Sequence, residues 1–379
     1  MKKSLIALAL IGAFSSAAVA QSNVTMYGIL DVNYMWQEGP TVVGTGTAAR
    51  VQQESVSAIN SGHQSGNRWG LRGTEALGGG LSAIFALESG FSLDTGMSGN
   101  SGRLFGRQAY AGLSGGWGAV VAGRLATFSS GTGDFDMIGR VDPFSTGFGL
   151  AGAQNTFISM NSLRVDNAVA YVSPTIAGFK GGVGYTTRID GNETAPSGTN
   201  TKATIFGANW TGGPFFAAIT YDIVNGSNAT SLPDQKHLQI GGTWDIAMFR
   251  LHAAWADQTN IAFLPTPSTG GSGSFIVLPA GLQNFDATSW LLGATWTVTP
   301  AFKVFGSYQA FDADGKSVTT GTTVTNFEPD YNVWGLGTTY NLSRRTNLYA
   351  SYAWRDADGT LVGNNANGKQ LAIGVRHLF

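Results

Sequence analysis

The residues able to do chemistry are few and badly placed for catalysis. Four histidines, His63, His237, His252 and His377, stand too far apart for a metal-ligand spacing. Cysteine is absent, which excludes thiol nucleophiles and Cys-ligated metals. Gly112, Leu113, Ser114, Gly115 and Gly116 match a G-x-S-x-G nucleophile elbow in letters. That motif needs a strand running into a helix, and Ser114 precedes a two-residue turn and another strand. Neither a phosphate loop nor a dinucleotide fingerprint occurs. The expectation is a protein without catalysis and without a cofactor. What remains is fixed charge, and 22 basic against 23 acidic residues, a formal net charge of -1, give no bulk attraction for nucleic acid.

The elements that must position those charges are strands. Apolar residues alternate with polar ones at period two: Leu30, Val32, Tyr34 and Trp36 share one face, Ile29, Asp31 and Asn33 the other. Asp31 thus faces inward, as a solvated wall charge or as a selectivity group. Leu238 to Trp244, Phe249 to Trp255, Trp290 to Val298 and Leu371 to Phe379 repeat the pattern. Tryptophans 36, 210, 244, 255, 296, 334 and 354 fall near strand ends on the apolar face, where interfacial rings collect in a membrane. Seven short turns (77–80, 115–117, 174–178, 212–214, 245–247, 299–301, 343–345) alternate with eight long loops. The loops lie near 37–66, 92–102, 127–163, 190–200, 225–234, 258–285, 313–329 and 358–368. Fifteen connections imply sixteen strands, and the short–long rhythm is that of a transmembrane barrel. The 54 glycines suit strands that bend and twist around one. A β structure in hydrocarbon must close on itself, so residues 24–36 and 369–379 should pair.

Lys2 and Lys3, the apolar run Leu5 to Phe14 and the Ala18-Val19-Ala20 site read as a signal peptide over residues 1–20. Residues 21–379 then form one barrel domain with 20 basic and 23 acidic groups, a charge of -3.

VTMYGILD (24–31), NRWGLRGTEALGGG (67–80), RLFGRQAYAGLSG (103–115), RVDNAVAYVSP (164–174) and the terminal AIGVRHLF resemble the Gram-negative general-diffusion porins of the outer membrane, trimeric betaproteobacterial type. The resemblance implies an all-β, antiparallel up-and-down transmembrane barrel of 16 strands with an inward-folded third loop, here about Thr127 to Leu163. It implies a water-filled channel for passive diffusion of ions and small hydrophilic solutes. It also implies a homotrimer in outer-membrane lipid and lipopolysaccharide, inserted by the assembly machinery through the strand ending in Phe379. Position in the matching motifs makes Arg68, Arg107 and Arg164 the basic wall of the constriction. Asp134, Asp136 and Asp142 become the facing loop acids, although the loop departs from the enteric Pro-Glu-Phe-Gly-Gly stretch and carries an extra Arg140.

Opposed charges across a narrow water-filled pore sort solutes by size and charge. The Debye length of about 8–10 Å near physiological salt spans such a width, and arginine stays ionised at any working pH. The plainer alternative pairs these arginines with Glu75 or Asp166, or puts them at a subunit interface. A rival function, a substrate-selective channel for a sugar or organic anion, needs an inward aromatic row or an unusually basic pore, and Ile29, Phe305 and Phe311 are scattered for the first. A barrel enzyme would need a Ser or Asp with His at the rim.

Overall fold

In hydrocarbon a strand has only another strand to satisfy its peptides, and the chain obeys that rule as a closed antiparallel barrel. The computed structural model describes residues 23–43, 50–157, 164–226, 233–261, 263–266, 274–277, 284–320, 323–327, 330–357, 360–361, 364–365 and 367–379. The expected signal peptide, 1–20, and the last part of the third loop, 158–163, lie outside them.

Among the described residues the wall has sixteen positions. They are β1 Asn23–Val43, β2 in two collinear pieces Arg50–Ser61 and Arg68–Gly78, β3 Leu81–Gly90, β4 Gln108–Gly115, β5 Gly118–Ala126, β6 Arg164–Val172, β7 Phe179–Thr186 and β8 Lys202–Gly212. The second half comprises β9 Phe215–Asn225, β10 Gln235–Ile246, β11 Phe249–Ile261, β12 Phe285–Thr297, β13 Phe302–Ala313, β14 Tyr331–Asn341, β15 Thr346–Ala357 and β16 Gly368–Leu378. Each pairs with its chain neighbour, and β1 closes the ring against β16 from Ile29↔Leu378 to Glu38↔Lys369. Beyond that register Gly28 and Phe379 exchange both backbone hydrogen bonds, at 3.1 Å each way. The Phe379 ring covers Gly28 so closely that a Cβ there has no room.

All seven short turns fall where the alternation put them. The first long loop does not. Residues 37–43 and 50–57 continue the β1–β2 ladder as a tall hairpin, and the loop expected over 37–66 shrinks accordingly. Strand β2 then breaks at 62–67 and resumes at Arg68. Short ribbons, Phe263–Thr266 with Ser274–Val277 and Lys316–Thr320 with Thr323–Phe327, stiffen two other long loops.

The two faces separate as the period-two pattern requires. Asp31, Asn33 and Met35 are buried inside while Tyr34 is 49% exposed outside. Outward rings form two rows. At the loop end Trp290, Tyr308, Trp334 and Trp354 follow one another with centroids 4.9, 4.3 and 5.7 Å apart. At the turn end Phe179–Trp210, Phe215–Trp244, Phe249–Trp296 and Phe302–Tyr340 pair at 5.9–6.4 Å. On β11 to β14 the two rows are six residues apart along each strand: 249 and 255, 290 and 296, 302 and 308, 334 and 340. Two-faced rings of this kind belong at the two water–lipid boundaries.

Candidate functional site

The third loop leaves β5 after Ala126 and runs inside the barrel. Its apolar side chains seat on inward-facing ones. Phe144 packs edge-on to Phe305 at 5.0 Å and Phe148 to Tyr349 at 5.6 Å. Gly335 and Gly337 leave the space the Phe144 ring fills. Polar wall groups hold its backbone: Gln309 Nε2 donates to Ala151 O at 2.7 Å, the Tyr331 hydroxyl to Asn155 O at 2.5 Å. Leu150 N donates to Gln370 Oε1 at 2.8 Å. Phe305 and Phe311, scattered inward aromatics in the sequence, are thus the bed of this loop, buried at 6% and 1%. The loop's apolar side chains cover the wall from β7 to β16, and its first residues also reach β4 and β6, where Asp134 meets Tyr110 and Thr132 meets Arg164.

Arg68, Arg107 and Arg164 lie on the β2 to β6 side of the wall, on or just before the starts of the lower β2 piece, β4 and β6. Register brings them to one level: Arg68 is opposite Gly90, Glu88 opposite Gln108, and Arg164 opposite Ala126. Three guanidinium groups this close need a counter-charge, and the one in contact is Glu88, which sequence reasoning missed. Its Oε1 is 2.6 Å from Arg107 Nε and 3.9 Å from an Arg68 nitrogen. Its Oε2 accepts from the Tyr27 hydroxyl at 3.0 Å. Arg68 Nε also donates to Gly66 O at 2.9 Å, and Arg164 reaches Thr132 Oγ1 of the loop at 3.4 Å. The available signal was alternation: Ala86 and Glu88 share the inward face of β3, two residues apart.

Pairing with Asp166, the plainer alternative, is what Arg103 and Arg124 do, at 2.7 and 2.5 Å. Arg103 also meets Asp190 at 2.5 Å. Glu75 makes no ion pair among the described residues, and Arg72 lies over the Tyr27 ring at 4.9 Å.

The loop acids depart from the expected facing row. Asp134 is exposed and accepts from the Tyr110 hydroxyl at 2.7 Å. Asp136 accepts the backbone N–H groups of Ile138 and Gly139 at 3.3 and 3.0 Å, and turns into its own loop. Asp142 is buried, accepting from the N–H of Phe144, Thr146 and Ala153 at 2.8–2.9 Å. Burial pushes its carboxyl up to about 6, against the pull of those three donors. Asp142 therefore holds the loop's shape and does not face the arginines. Arg140 extends to Asp245 at 3.6 Å, beside the Asp245–Arg250 pair.

A role confined to the loop's backbone has a measurable signature. Asp142→Ala strands three buried N–H groups, each costing about 1–3 kcal/mol. Its unfolding temperature should drop with the reversal potential unchanged. A shifted reversal potential in the folded protein would return Asp142 to the pore wall.

A family model described as Gram-negative porin matches residues 7–360. The chain belongs to that family. An outer membrane porin protein of Bordetella pertussis is 35% identical over 341 residues, covering 82% of this chain and 86% of its own. Among solved structures, the anion-selective porin from Comamonas acidovorans superposes with a TM-score of 0.69 at 23% identity, over 95% of this chain and 100% of that one. OmpT of Vibrio cholerae in its trimer form gives 0.59 at 16% identity, over 94% and 99%. These two likenesses speak to the fold. The porin is a channel protein of the outer membrane.

Proposed function

We propose that this porin is a general-diffusion channel whose narrowest passage lies between the third loop and Arg68, Arg107 and Arg164, and that it weakly favours anions. The observation that carries this reading is the local balance of charge: three arginines at one level, with Glu88 the carboxylate in contact with two of them among the described residues, and Asp136 and Asp142 turned into their own loop. Asp134 contributes a charge at the loop's exposed edge. The inward aromatics Phe305 and Phe311 lie beneath the loop, and Tyr27 and Tyr110 are tied by their hydroxyls to Glu88 and Asp134, so these four form no row for a sugar to slide along, and no catalytic step enters this reading.

In the same proposal the mature chain starts at Gln21, after export, and three copies associate. The exterior of β3 to β5 supports association: Ala83, Ala109, Ala111 and Ala122 are small there, and the two aromatic rows run along the other side. Lipopolysaccharide and lipid surround the trimer, and the strand ending in Phe379 is the one offered to the assembly machinery.

Purified protein in a planar bilayer tests both parts. Current should rise in large steps with three equal sublevels, and a salt gradient should give a reversal potential on the anion side. Unheated protein should migrate and scatter light as a trimer. Single sublevels with a monomer mass would reject the trimer, and a cation-side potential would reject the selectivity.

A further inference from the structure

The geometry points to residues 62–67 as an internal strut that fixes the tip of the third loop, with Asp31 as its positioning residue. This rests on the constriction proposed above and adds what keeps it in place.

The β1–β2 ladder runs down to Val32↔Ser61 and resumes at Ile29↔Arg68. Two residues of β1 are therefore matched by six of β2, and the surplus turns into the lumen. Left alone, such a break would leave wall peptides unpaired at membrane depth, which is costly. The Asn67 side chain repairs it by standing in for a peptide: its Oδ1 accepts from Asp31 N at 2.5 Å, and its Nδ2 donates to Asp31 O at 3.0 Å and to Ser61 Oγ at 2.6 Å. Gly62 N donates to the same Asp31 carbonyl at 2.9 Å.

The side chain of Asp31 then fixes the excursion. One carboxylate oxygen accepts from Ser65 N at 2.7 Å and the other from the Tyr349 hydroxyl at 2.5 Å. Arg376, opposite Asp31 on β16, donates to Ser65 Oγ at 3.2 Å, and Asn347 Nδ2 to Gln64 Oε1 at 2.8 Å. His63 bonds Ser351 Oγ at 2.7 Å and stacks on Tyr349, planes 14° apart. The strut is thus tied to β1, β15 and β16 together.

Its inner edge meets the loop. Phe148 N donates to His63 O at 2.5 Å, and the Phe148 ring stands edge-on to His63 at 5.9 Å. Gly147 lies against Gln64 O with no room for a Cβ. The loop needs such a hold here, because Ser145, Thr146 and Phe148 all have left-handed backbones, with φ of 51°, 55° and 61°. Side chains with a Cβ take up that conformation only where the surroundings enforce it. The tip is a bent segment pressed into shape from the wall side.

Two variants approach the contact from opposite sides, Asp31→Ala from the wall and Gly147→Val from the loop. In folded trimers of either, amide hydrogen exchange over residues 144–150 should speed up about tenfold or more relative to the rest of the barrel. Open-channel current noise should rise alongside. Asp31→Asn, which retains one acceptor, should fall between. Unchanged exchange at the tip in both variants overturns the strut, as does acceleration spread evenly over the barrel, which would make Asp31 a general stability residue. The outcome is separable from that of the constriction itself. Quiet variants together with a conductance gain on loop excision would leave the constriction standing and the strut rejected. Accelerated exchange with no effect of excision on conductance would keep the strut and reject the constriction.

Discussion

Excision of Asp134 to Ala153 should raise single-channel conductance about twofold, since the current through a water-filled pore is set by its narrowest section. The loop's length is the first ground, because an inter-strand loop beyond about 12–15 residues in a compact fold usually has a task. The second is where it lies, inside the barrel with its apolar residues seated on the wall from β7 to β16. The gain should carry a stability cost that the length argument alone does not foresee. Phe305, Phe311, Leu291 and Tyr331 are buried under the loop at 1–6% exposure and would face water. Each such side chain is worth about 1.5–3 kcal/mol of burial, so the unfolding temperature of the excised porin should fall by many degrees. Bilayer recording and a thermal scan on the same preparation check both. Unchanged conductance in a folded protein would place the loop outside the path.

The second large effect is electrostatic. Replacing Arg68, Arg107 and Arg164 together by glutamine should move the reversal potential toward cations. A unit charge about 7 Å from an ion in water contributes about 0.6 kcal/mol, close to threefold in local concentration. Three of them should change the anion-to-cation permeability ratio by well over about an order of magnitude at low salt, and less as screening grows. Glu88→Gln should shift it the other way, since it removes the carboxylate in contact with Arg68 and Arg107. Arg250 and Arg355 serve as controls. Arg250 is held in a two-bond pair with Asp245 at 2.5 and 2.9 Å, and Arg355 is buried over the Tyr331 ring. Neutralising either should do little. Equal shifts from both sets would locate the constriction elsewhere, and an anion-ward shift from the triple variant would reject the basic wall.

Much of the barrel is legible in the chain because each barrel strand reports its own inside and outside. The alternation around Tyr34, Trp244, Trp255 and Trp296 is local, and so are the turn residues, so faces, turns and closure follow without knowledge of neighbours. What depends on register is hidden. Glu88 meets Arg107 only through the pairing of β3 with β4. The 62–67 break looks like ordinary loop, since a polar Gly-His-Gln-Ser-Gly-Asn stretch has no periodicity to lose. The loop aspartates mislead for a related reason. Asp136 and Asp142 have the charge expected of a pore lining, but a carboxylate followed by left-handed residues and glycines finds backbone donors nearer than any arginine across the lumen. The inward aromatics Phe305 and Phe311 look scattered in the chain because the loop that covers them is remote in sequence.

The six-residue step between the two aromatic rows also sets a thickness. At about 3.3 Å per residue and a strand tilt near 40°, the rows are ~15 Å apart along the membrane normal, or roughly 20–25 Å with the rings included. A typical bilayer core is about 30 Å thick, and the bacterial outer membrane is thinner than average. A barrel this short would have to pinch a thicker membrane along its lipid-facing side, at a fraction of a kcal/mol per Å of mismatch. Ring spacing alone thus biases where the folded barrel can rest, independently of any address in the sequence.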